Sequence, residues 1–114
     1  GFYDPYGDGA SDVQLLRHLY KTQIRELAKY LGVPARIVNK PSSGDLAAGL
    51  PNESAIGLTY EQLDSILWGM NHGLTEKEIV AQTSVTLSAI SSVQKAISLA
   101  RLRESLPSML PVLP

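Results

Sequence analysis

LTYEQLDSILWGMNHGLTEKEIVAQTS, residues 58–84, contains the same helix start twice. Thr59 and Gln62 form a capping-box pair, with Leu58 and Leu63 spaced for a hydrophobic staple around it. Thr75 and Glu78 repeat the box, with Leu74 and Ile79 as the second staple. Leu63, Ile66, Leu67 and Met70 give the first helix an apolar stripe, and Gly73 ends it. The second helix is short and stops near Ser84. A third, from about Thr86 to Arg103, carries Ile90, Val93, Ile97 and Ala100 on one face. The spacing therefore predicts a helical hairpin region over 58–105, in a mainly α chain.

Working outward, Ile24, Leu27, Ala28 and Leu31 follow the i, i+3, i+4, i+7 rule, so Lys21 to Leu31 reads as an amphipathic helix. Gly32 closes it, and Pro34 prevents continuation. Pro34–Val38 starts a short second turn, so 21–39 is a helix and turn. Residues 1–20 read as a loop and lead-in, with Gly1, Gly7, Gly9 and Pro5 at the start; Val13–Leu19 is apolar but too short to classify by period. Lys40–Gly57, KPSSGDLAAGLPNESAIG, has two prolines, three glycines and three serines, which break any period. It reads as a long loop, and its glycines raise the entropy cost of ordering it, so mobility is expected. Pro107, Pro111 and Pro114 impose an extended tail over 106–114.

The 114 residues suffice for one domain with a modest core, or for a piece of a larger one. An apolar content of 44% suits a folded chain. No run of about eighteen apolar residues predicts a membrane span, and the N-terminus does not read as a signal peptide. With no cysteine, disulfides and thiolate metal sites are excluded, and the cytoplasm is the default location.

Net charge is −1, yet its distribution is uneven. Arg17, Lys21, Arg25, Lys29, Arg36 and Lys40 are six of the ten basic residues, opposed across that span only by Glu26. Asp45, Glu53, Glu61, Asp64, Glu76 and Glu78 then reverse the sign. Such halves are either solvated helix faces or, on the basic side, a site for phosphates. Arg25 and Lys29 read as solvated-face residues.

Among candidate sites, Asp4, Asp8 and Asp12 lack the alternate spacing and terminal Glu of a calcium loop. His18 and His72 have no neighbouring ligand at helical spacing, so no metal site is predicted. Trp68 lies at the far edge of its stripe, a core or interface residue. Residues 73–103 have the outline of a DNA-binding helix-turn-helix, but only Lys95 is charged between Val85 and Leu99. Nucleic-acid binding is thus the runner-up, as a non-catalytic helical interaction module.

GFYDPYGDGASD, LYKTQIRELAKYLGVP, NKPSSGDL and ESAIGLTYEQLDSIL, taken in this order and spacing, resemble the C-terminal part of the ammonia-dependent NAD synthetase family. The resemblance covers about residues 1 to 70 well and the later helices more loosely. It implies a carbon–nitrogen ligase that uses ATP and Mg to adenylate deamido-NAD and then amidates it with ammonia. It implies ATP binding by Lys21 and Ser43, and deamido-NAD binding by Asp12. No catalytic residue or metal ligand is expected in this stretch. Lys21 begins the first regular helix, so its ammonium and the helix's N–H groups are expected to face one anion together. The glycines of YGDGASD let backbone approach a ligand closely, beside Asp12.

Three positions depart from the family pattern. Pro5 stands where a substrate-contacting lysine is usual, Ala10 where a glycine is, and no His-Lys pair stands near the C-terminus, where Arg101 or Arg103 offers charge instead. The resemblance also implies that the parallel sheet of an α/β nucleotide-binding domain lies upstream of Gly1. So do the Ser-Gly-Gly-x-Asp-Ser loop, an ATP-contacting threonine and the metal-binding glutamate. The chain is accordingly expected to be an inactive fragment of a homodimeric enzyme, with no membrane partner.

Overall fold

A computed structural model of the chain describes residues 11–43 and 51–105. Six helices follow one another there: α1 (Lys21–Tyr30), α2 (Ala35–Val38), α3 (Asn52–Ile56), α4 (Tyr60–Asn71), α5 (Glu76–Gln82) and α6 (Leu87–Ser105). Among the described residues there is no extended sheet, only an isolated antiparallel bridge between Ser43 and Pro51.

Both predicted capping boxes are formed. Thr59 Oγ1 accepts from the Gln62 N–H at 3.3 Å, and Gln62 Oε1 accepts from the Thr59 N–H at 3.1 Å. At α5, Thr75 Oγ1 accepts from the Glu78 N–H at 3.3 Å, while Glu78 Oε2 accepts from the Thr75 N–H at 2.7 Å. Each box satisfies donors that a helix start leaves without intrahelical partners. Gly32 and Gly73 end α1 and α4 with φ of +74° each, a conformation that any Cβ would strain.

The core lies where α4, α5 and α6 meet. Ile66, Ile79, Val85, Ile90 and Val93 are buried there, and Leu58, Leu63, Leu67, Met70, Leu74 and Ile97 pack against them. The staple residues therefore belong to one apolar cluster. Gly69 is needed at the α4–α5 contact: a Cβ there would come within 2.6 Å of Ile79 Cγ1.

Two expectations are corrected. Lys40–Gly57 is not loop throughout, because Asn52–Ile56 forms α3. Pro51 precedes its first residue and Gly57 follows its last, the proline-first, glycine-last order of a helix too short to show a period. Residues 44–50, within that stretch, lie outside the described residues, as do Pro5, Ala10 and the 106–114 tail. Second, of the two readings for Trp68, the core one is excluded: it is 45% exposed and stacks on His72, with ring centroids 4.1 Å apart. The apolar stripe of α1 is not closed over. No residue of α1 is buried, and Leu27 and Leu31 are 37% and 67% exposed.

Candidate functional site

The N-terminus of α1 sits against α4. Asp64, buried on α4, accepts the Thr22 N–H through Oδ2 at 2.7 Å. Gln23 Oε1 accepts the Tyr20 N–H at 2.9 Å, and the Tyr20 hydroxyl accepts from Asn71 Nδ2 at 2.9 Å. The helix start thus already holds a carboxylate from its own chain. One of the helix N–H groups expected to face an external anion together with Lys21, that of Thr22, is thereby already taken.

Three cations follow along α1 at four-residue intervals, and their surroundings differ. Lys29 Nζ pairs with Glu26 at 2.6 Å, both well exposed. Arg25 Nη1 pairs with Glu61 Oε1 of α4 at 3.1 Å, so Arg25 joins two helices and is not a purely solvated residue. Lys21 is half-buried and has no ion pair among the described residues. Its Nζ lies instead 5.7 Å from the centre of the Tyr60 ring, which also faces the Arg25 guanidinium at 5.3 Å.

Tyr60 connects this cluster to the segment that carries Ser43. Its hydroxyl accepts from Asn52 Nδ2 at 3.3 Å, and its N–H donates to Glu53 Oε1 at 2.7 Å. Asn52 donates its own N–H to the Ser42 carbonyl at 2.8 Å, next to the Ser43–Pro51 bridge. Lys21 and Ser43 are therefore linked through Tyr60 and Asn52. Asp12 is not drawn into this cluster; it is exposed in the turn before α1. Arg101 is exposed on α6, and the Arg103 side chain lies outside the description.

The Glu61 carboxyl is held below its ordinary value by its own backbone N–H, then by the Thr59 hydroxyl and Arg25. An open depression of about 420 Å³ lies one to two turns further along α1, between α1, α2 and α4. Arg25, Lys29, Glu26 and Glu61 line it, so its charges cancel in pairs and it offers little to a polyanion. Among the described residues no three His, Cys, Asp or Glu side chains converge on a metal position. None of their helices is long and apolar enough to cross a membrane.

The sequence profile described as NAD synthase matches residues 1–107. The chain belongs to the NAD synthase family. Among curated proteins it is similar to the NH(3)-dependent NAD(+) synthetase of Coprothermobacter proteolyticus, with 47% identity over 69% of this chain and 27% of that protein. The corresponding synthetase of Pyrococcus horikoshii is 38% identical over 94% of the chain and 42% of that protein. That of Saccharolobus solfataricus is 39% identical over 89% and 37%. The chain thus spans well under half the length of these NAD synthase relatives. The match runs through residues 73–103, so the helix-turn-helix alternative finds no support.

Tyr60, Asn52 and Asp64 were not singled out by sequence reasoning. Their contacts lie across gaps of up to 42 residues and leave no periodic signal.

Proposed function

We propose that this chain is the helical C-terminal part of an ammonia-dependent NAD synthetase, with Lys21 and Ser43 binding ATP phosphates and Asp12 binding deamido-NAD. The reaction has two displacements. A carboxylate oxygen of deamido-NAD attacks the α-phosphorus of ATP and expels pyrophosphate. Ammonia then attacks the activated acyl carbon, AMP leaves with the former carboxylate oxygen, and loss of a proton gives the amide of NAD.

The observation that carries the assignment is the ion-pair pattern of α1. Arg25 and Lys29 are each neutralised by a carboxylate, whereas Lys21 has no such pair among the described residues and is already directed by a ring. A half-buried ammonium attracts phosphate more strongly than a fully solvated one. Lys21 would then oppose the charge on the departing pyrophosphate, with the Ser43 hydroxyl as a second, neutral contact. The described residues do not fit a metal, so no step through Mg is assigned to them.

The open apolar face of α1 supports a further part of the proposal. Leu27 and Leu31, with Ile37 of α2, present apolar surface that an upstream α/β sheet domain would cover. The complete enzyme is taken to be a cytoplasmic homodimer, as the family resemblance implies.

The test is a chimera in which residues 1–107 replace the matching part of the Pyrococcus horikoshii synthetase. Formation of NAD from ATP, deamido-NAD and ammonia is expected from the chimera and not from the 114-residue chain alone. A chimera that folds and dimerises yet forms no NAD would refute the proposal.

A further inference from the structure

Tyr60 is where the two halves of the proposed phosphate site meet. Lys21 and Arg25 are four residues apart on α1 and so project from one face. Both reach the Tyr60 ring, at 5.7 Å and 5.3 Å from its centre. The polar atoms of the same residue face the other way in the sequence: the hydroxyl binds Asn52, and the N–H binds Glu53. Asn52 in turn is bonded to Ser42, beside Ser43.

The kind of contact matters for Lys21. A carboxylate partner would fix the ammonium but also neutralise it, as Glu61 does for Arg25. An aromatic face attracts the cation while leaving its full charge for an incoming anion. A lysine side chain has much rotamer freedom to lose on capturing a phosphate, and prior restriction by the ring lowers that cost. The hydroxyl and N–H of Tyr60 do the equivalent for the backbone that presents Ser43.

We propose that Tyr60 is a positioning residue of the phosphate site, its ring directing the Lys21 ammonium and its hydroxyl and N–H anchoring, through Asn52 and Glu53, the segment that carries Ser43. The inference rests on the assignment of Lys21 and Ser43 to ATP phosphates.

The experiment is an NMR titration of the 114-residue chain with ATP up to millimolar concentration, in wild type, Tyr60→Phe, Tyr60→Leu and Lys21→Ala. In the wild type, the methylene protons nearest the Lys21 and Arg25 charges should be shifted upfield by the ring. Tyr60→Phe should keep those shifts and most of the affinity, while hydrogen exchange at the Ser43 amide becomes faster. Tyr60→Leu should abolish the ring shifts and raise the ATP dissociation constant by about 2- to 5-fold. Rescue by Phe separates positioning from simple packing, and Tyr60→Phe keeps the test intact if Tyr60→Leu does not fold. Unchanged ATP affinity in Tyr60→Leu, with a clear loss in Lys21→Ala, would overturn the role of Tyr60 alone. The same holds for wild-type ring shifts that are absent, or a Ser43 amide indifferent to Tyr60→Phe. Loss of no affinity in Lys21→Ala, or no ATP binding by the wild type, would overturn the phosphate assignment and the role of Tyr60 with it.

Discussion

The carboxylate of Asp64 on α4 accepts the backbone N–H of Thr22 on α1 at 2.7 Å. A residue 42 positions later in sequence thus caps the first regular helix, taking the place that a Ser, Thr or Asp directly before it would fill. Asp64→Ala leaves a part-buried N–H without its acceptor and should cost about 1–2 kcal/mol. Asp64→Asn keeps an acceptor of weaker, uncharged type and should cost less. Thermal melts of the chain check the order, and hydrogen exchange at Thr22 locates it. Equal melting temperatures for all three proteins would remove Asp64 as the clamp between α1 and α4.

Two capping-region carboxylates set an acid limit. The Thr75 hydroxyl, then the Thr75 backbone N–H, holds the Glu78 carboxyl below its ordinary 4.5, and Glu61 is lowered likewise by its own N–H, Thr59 and Arg25. A carboxyl whose folded value is depressed adds stability that is present above its unfolded value and is lost as pH falls through the folded one. Stability should therefore decline on acidification below 4.5, and Glu78→Gln should make that decline shallower. NMR titration of the two carboxyls checks this directly. Ordinary or raised values would contradict the capping account.

At Gly69 two effects compete. Alanine favours a helix interior over glycine by about 1 kcal/mol. Its methyl, however, would sit 2.6 Å from Ile79 Cγ1, an atom near the backbone of a buried side chain. Overpacking of this kind costs about 1–3 kcal/mol, so Gly69→Ala should destabilise on balance, by roughly 1 kcal/mol. A raised melting temperature would mean that α5 shifts freely against α4.

The Arg25–Glu61 pair joins α1 to α4 at the surface, with side chains 25% and 64% exposed. A double-mutant cycle should give a coupling of only about 0.2–1 kcal/mol, shrinking in about 1 M salt. A coupling above about 2 kcal/mol, unaffected by salt, would show a far drier contact than the exposure implies.

Local chemistry made much of the helical frame legible. Thr59 with Gln62, and Thr75 with Glu78, act within one turn, so their role can be read from four consecutive residues. The stripe through Ile66, and that through Ile90 and Val93, carries the buried face because helical period and burial coincide there. The α3 helix escaped because five residues are fewer than two turns and show no stripe. The Ile24–Leu31 stripe correctly marks α1 as a helix, but burial needs a partner surface, and period alone does not supply one. The site divides similarly. Lys21 and Ser43 were named by resemblance, while Tyr60, which links them, is tied to α1 and α3 only by tertiary contacts.

The central claim is that Lys21, alone among the three α1 cations, serves ATP phosphates. The decisive measurement is steady-state NAD formation by the Pyrococcus horikoshii chimera carrying Lys21→Ala or Lys29→Ala. Lys21→Ala removes a charge-assisted contact of about 2 kcal/mol, mostly where charge develops, so turnover should fall tens- to about a hundredfold. Its effect on stability should stay within about 1 kcal/mol, the lower part of the range for a cation–ring contact. Lys29→Ala, which loses only an exposed pair with Glu26, should keep turnover within about twofold. Small and equal losses in both variants would contradict the claim and leave α1 as a merely basic surface.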